Sequence, residues 1–259
     1  MTETLAILLD VGTQTVLAGF VVFLRVGAAM ALLPAFGETT IPARVRLVLA
    51  LCFTLTVMPA VGAEIAPLHV NGTLSGTLLA TEVMAGLALG AILRISVLAL
   101  QIAGTIAAQA TSLSQLFGGG TGEPQPAIGH LLTWGGLALA VMMGLHIRLT
   151  EALIGSYSVL LPGQFPGAES IRAWGIGGVA HGFALAFVLA APFVLAGLIY
   201  NVALGAINRA MPQLMVAFVG APALTAGGLL LLVLCVPAGL ALWHNDLVLL
   251  LANPFEVRR

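Results

Sequence analysis

The sequence predicts an all-α membrane protein built from about six long apolar helices arranged as hairpins. Three observations carry that prediction. Apolar residues fill 60% of the 259 positions and charged residues 7%, with a mean hydropathy of +1.11, whereas a soluble domain carries about a quarter of its residues as Asp, Glu, Lys and Arg. The apolar residues fall into six blocks, most of them near or above the roughly 20 residues that one helix needs to cross a bilayer. Glycine is dense, with 31 copies, as suits helices that must approach closely because lipid gives no hydrophobic drive for their association.

The first block runs from about Thr15 to Leu33. Glu3 and Asp10 precede it, where a cleaved signal peptide would want positive charge, so this segment is expected to stay in the mature protein. The second block, about Leu47 to Val61, falls short of a span. The third, Leu74 to Ala110, has 37 residues and no proline. At 1.5 Å per residue it makes roughly 55 Å of helix against a hydrocarbon core of about 30 Å. The fourth, Ile128 to about Leu149, is expected to be one span. The fifth, Gly175 to Ala206, contains Pro192, and the sixth, Leu214 to Leu242, contains Pro222 and Pro237. Tilting or proline kinks absorb part of the excess in blocks five and six. The remaining apolar surface is expected to pack against protein outside the lipid slab. Arg44, Arg46 and Arg209 occupy one set of connections and Arg148, Arg172, Arg258 and Arg259 the other, so the positive-inside rule does not choose an orientation.

Several function classes are excluded by composition. A net charge of -1 without a basic cluster does not suit a nucleic-acid partner. All nine basic residues are Arg. The run Gly118 to Gly122 is therefore no nucleotide-binding P-loop, and Schiff-base chemistry has no amine. Cys52 and Cys235 stand alone in apolar runs and read as small core hydrophobes. The five histidines (His69, His130, His146, His181, His244) show no metal-ligand spacing, so neither metal nor cofactor is expected. Ser156, in "LIGSYSVLL", lacks the glycine elbow and paired His of a nucleophile.

Three ionisable residues lie well inside apolar blocks: Arg25, Glu82 and Arg94. Each costs about 2.5 to 3.5 kcal/mol near a helix centre and must face a partner or water. Glu82 and Arg94 do not pair with each other on one helix, since twelve residues separate them by roughly 18 Å and 120°. Arg148 and Glu151 read as a local surface pair. Gly86-x-x-x-Gly90 and Gly178-x-x-x-Gly182 suit close helix contact, within the chain or between subunits. The loop "SLSQLFGGGTGEPQPAIG", Ser112 to Gly129, reads in two ways: as a mobile surface turn, or as a plug in which Leu113, Gln115, Leu116 and Phe117 close a narrow aqueous path by dewetting.

Two stretches carry a resemblance. "LGAINRAMPQLMVAFVGAPAL" resembles the signature of the FliR/SctT family, the R subunit of the flagellar export gate and its counterpart in type III secretion. Asn208, Arg209, Pro212, Gln213, Leu214, Gly220 and Pro222 occupy the motif positions. "FLRVGAAMALLPAFGETTIPARVRLVLALCFTLTVMPA" resembles the family's first helix around Arg25 and its Ile-Pro-x-Arg-x-Arg turn, with Arg44 and Arg46. The chain departs from the family at the end of block three, where only Gln109 of the usual Gly-Leu-Gln-Met-Gly remains, which weakens a plug role for the loop.

The resemblance implies a subunit without catalytic residues, present once in a helical ring with five P and four Q subunits. That multi-subunit channel is the pore through which unfolded flagellar proteins leave the cytoplasm. It also implies the B and A export subunits as partners and a multi-pass place in the bacterial inner membrane, at the flagellar basal body. A P-like part, about 1–165, would join a Q-like helical hairpin, about 166–259. The assembly stands partly above the lipid, which would give Arg25, Glu82 and Arg94 partners across subunit boundaries. At the tip of the hairpin, Pro212 suits the first turn of block six. Asn208 and Gln213 can satisfy unpaired backbone groups there, and Arg209 can hold a polar level or pair across a subunit seam. The alternative from another class is a secondary transporter with Arg25, Glu82 and Arg94 around a midplane substrate site.

Overall fold

The structure, a computed structural model, describes residues 2–36, 41–65, 75–111, 127–211 and 216–257. Those residues form seven helices and no strand: α1 (Thr2–Leu32), α2 (Ala43–Ile65), α3 (Gly76–Ala110), α4 (Ala127–Met142), α5 (Leu145–Val159), α6 (Ala168–Ala210) and α7 (Val216–Ala252). Five are long and apolar enough to cross a membrane, and the α4–α5 pair, bent by 78°, brings the number to as many as six. The expected all-α membrane protein is what the chain builds.

Two features of the elements go beyond what the apolar blocks give. Block four is two helices. A residue in the left-handed region, Gly144 with φ 87°, separates α4 from α5, and hydropathy alone does not register the break because both halves are apolar. The first helix also begins near Thr2, earlier than the apolar block does. Block three is one 35-residue helix, and block five is one 43-residue helix that passes Pro192 without a break. At 1.5 Å per residue α6 is roughly 65 Å long, twice the hydrocarbon thickness of about 30 Å.

The chain divides into two compact units. The first comprises Met1–Ile95, Gly144–Gly178 and Val248–Arg259. In it α1 and α2 pack as a hairpin, and Phe36 meets Phe53 edge to face with ring centroids 6.0 Å apart. The first half of α3 lies directly on α1: a Cβ on Gly86 would stand 2.1 Å from the Arg25 carbonyl oxygen, and one on Gly90 2.7 Å from that of Ala29. Gly86-x-x-x-Gly90 therefore serves contact within the chain. Near the end of the chain, the Trp174 indole donates to the Pro254 carbonyl at 2.9 Å and its ring packs on Phe255.

The second unit comprises Ser96–Met143 and Val179–Leu247. Here α3 and α4 approach so closely that a Cβ on Gly104 would lie 2.3 Å from the Gly129 Cα. Trp243 of α7 is fully buried and donates its indole N–H to the Ser96 carbonyl at 2.9 Å. Gly136 leaves the room its ring occupies.

Candidate functional site: a buried arginine–glutamate pair

Arg25 sits in α1 amid Val21, Val22, Val26 and Ala29, all buried. A guanidinium there needs a complete replacement for water. The local sequence supplies the first part of it. Gly86 lies one turn beyond Glu82 on α3, and because it has no side chain the backbone of Arg25 reaches contact with that helix. Glu82 is thereby carried to the guanidinium. Arg25 Nε donates to Glu82 Oε2 and Nη2 to Oε1, each at 2.8 Å, with the two side chains 1% and 0% exposed. This is the forked geometry that only arginine offers a carboxylate.

The remaining donors go to α5 and the turn after it. Nη1 donates to Ser156 Oγ at 2.9 Å, and Nη2 gives a second bond to the Leu160 carbonyl at 2.8 Å. The Tyr157 ring faces the cation, its centroid 3.6 Å from the guanidinium carbon, a placement in which the ring quadrupole attracts positive charge. Ser156 donates in turn to the Leu153 carbonyl at 2.6 Å. Gly163, at φ 76°, turns the chain so that its N–H reaches Thr81 Oγ1 at 3.0 Å, next to Glu82. Three helices and one turn thus converge on a single charge pair.

The expectation that Arg25 and Glu82 find partners across subunit boundaries is corrected by this geometry. They are each other's partners within the chain, 57 residues apart in sequence. Ser156, already disfavoured as a nucleophile, accepts from a guanidinium and donates to a carbonyl, and no histidine base enters those contacts. An apolar cleft of about 280 Å³ opens beside the site between Thr81, Met84, Leu160, Ile171 and Trp174, yet both charges stay shielded from it. Among the described residues no three of His, Cys, Asp and Glu gather into a set that could hold a metal.

The other predicted residues are not drawn into this cluster. Arg94, half-buried on α3, is engaged by other groups. Arg44 is exposed at the start of α2, and Arg46 is partly buried with its Nε atom lacking a hydrogen-bond partner. Gln109 is exposed at the end of α3. Asn208 and Arg209 are exposed in the last turn of α6, Gly220 is buried on α7 and Pro222 is exposed. Leu113, Gln115, Leu116, Phe117, Pro212 and Gln213 lie outside the described residues. Arg148 and Glu151 form the expected surface pair at 3.8 Å. Sequence reading missed Tyr157 and the Leu160 carbonyl; the one available signal was the polar Ser-Tyr-Ser run in an apolar helix.

Fold and site together define a multi-pass, all-helical membrane protein whose innermost polar cluster is a structural lock. The chain matches the family described as Bacterial export proteins, family 1, over residues 16–249, and it belongs to that family. It is 33% identical over 228 residues to flagellar biosynthetic protein FliR of Caulobacter vibrioides, covering 87% of this chain and 90% of that protein. It is 28% identical to the protein of the same name in Bacillus subtilis, covering 84% and 85%. The Escherichia coli protein of that name is 27% identical, covering 83% and 82%.

Proposed function

We propose that this chain is the R subunit of a bacterial flagellar protein-export gate: a non-enzymatic component of the inner membrane at the flagellar basal body. With P and Q subunits it forms the pore through which unfolded flagellar proteins are exported, and the B and A export subunits are further partners. The observation that carries this reading is the likeness to flagellar biosynthetic protein FliR over nearly the whole length of both chains. The helices support it. Of the most apolar 18 residues within Pro222–Ala252 only 6% are buried within the chain, and α6 is about twice as long as a bilayer core is thick. The length of α6 in excess of a bilayer core is what sister subunits would cover.

In this reading the chain has a P-like part, about 1–165, and a Q-like hairpin, about 166–259, with the join near the turn that precedes α6. Arg94, engaged within the chain, also borders a neighbouring subunit, and Leu113, Gln115, Leu116 and Phe117 obstruct the pore. The saturated pair Arg25–Glu82 weighs against a secondary transporter, which needs charges that a solute can reach. In a flagellated host deleted for its own copy, the full chain is expected to restore secretion of filament protein. A deletion strain that stays unable to secrete although the chain is inserted in its membrane would overturn the assignment. Deleting Gly118 to Gly122 is expected to change leakage or export with assembly intact; an unchanged phenotype would make the loop a surface turn.

A further inference from the structure

Gly220 and Pro222 close the family-like run, and the buried ion pair makes no use of them. Across from Gly220 stands Tyr200 of α6, whose hydroxyl donates a hydrogen bond to the Gly220 carbonyl on α7. A Cβ placed on Gly220 would lie 2.7 Å from that hydroxyl oxygen and 3.3 Å from a Leu204 methyl, inside the roughly 3.5 Å at which heavy atoms rest. The reason for glycine here is therefore the tyrosine, since Gly220 is not among the residues with positive φ.

The position of this bond gives it a role. Farther from the hairpin tip, His181 and Asp246 join the same two helices at 2.8 Å. Tyr200 supplies a link nearer the tip, ahead of Asn208 and Arg209 on α6 and just inside the start of α7. Pro222 has no N–H to give the carbonyl four residues back, so this end of α7 lacks one of its own bonds and gains from an anchor on α6. We infer that Tyr200 is the positioning residue that fixes the last turns of α6 against the first turns of α7, and that Gly220 is glycine in order to admit its hydroxyl. The bond holds the exposed Asn208 and Arg209 at a fixed place and direction. That this presentation serves export rests on the export-gate reading; the positioning itself does not.

Tryptic cleavage after Arg209 in the purified full-length chain in detergent, followed by mass, tests the inference. Tyr200→Phe is expected to raise the cleavage rate about five-fold, the factor that one ordinary hydrogen bond carries, and Gly220→Ala to raise it further. Combining the two must slow cleavage relative to Gly220→Ala alone, because removing the hydroxyl vacates the space the new methyl needs. Wild-type rates in Tyr200→Phe, or a double variant cut as fast as Gly220→Ala, would overturn it. Should Gly220→Ala not be recovered from membranes, recovery of the double variant supports the inference and its equal loss overturns it. Altered cleavage with unaltered export would leave the latch standing and remove its role in export, while a wild-type chain that supports no export would count against the export-gate reading alone.

Discussion

A guanidinium persists inside α1 because four hydrogen bonds and an aromatic face replace the water it gave up. Removing one partner strands the other, at a cost of about 3 to 5 kcal/mol, whereas replacing both with apolar residues of similar volume is often neutral. Arg25→Met and Glu82→Leu are each expected to destabilise the purified chain by that amount, and the double variant to be more stable than either. Thermal unfolding in detergent measures all three. Ser156→Ala removes one acceptor of the guanidinium and is expected to cost about 1 to 3 kcal/mol. At this scale the need for partners was legible, since each ionisable residue in an apolar block demands one. The choice was not: Arg25 and Glu82 are 57 positions apart, and a single sequence carries no sign that one helix's glycine brings them together.

Helices were the most legible feature, because runs of apolar residues longer than a bilayer crossing have few alternative structures. Their breaks were less so. Gly144 ends α4 through backbone conformation, and nothing in "VMMGLHI" interrupts the apolar run. Gly144→Ala is expected to cost about 1 to 2 kcal/mol, the penalty for a side chain in the left-handed region. Gly155→Ala, with nothing within 4 Å of the added methyl, is the control in the same unfolding measurement and is expected to lose nothing and gain up to about 1 kcal/mol of helix propensity. Gly86→Ala sets a methyl against the α1 backbone and is expected to force α1 and α3 apart, lowering stability by about 1 to 3 kcal/mol. The Gly-x-x-x-Gly spacing announced close packing, while its partner helix emerged only from the fold.

For the whole molecule the central claim is that this chain covers its apolar flanks chiefly with other proteins and only partly with lipid. The uneven block lengths already pointed there, and helices α3, α6 and α7, with 35, 43 and 37 residues, keep that excess. Where neighbouring subunits would dock was not legible, because an exposed apolar face looks the same whether lipid or protein covers it. Arg94→Leu is expected to reduce the yield of the complex more than it reduces insertion of the isolated chain; a normal yield would count against a role for Arg94 between subunits. The most direct test is native mass measurement of the detergent-purified protein from cells that also express the P and Q subunits. The account predicts one copy of this chain in a stable complex with multiple copies of both. A chain that purifies alone as a stable monomer, with no P or Q bound, would contradict it.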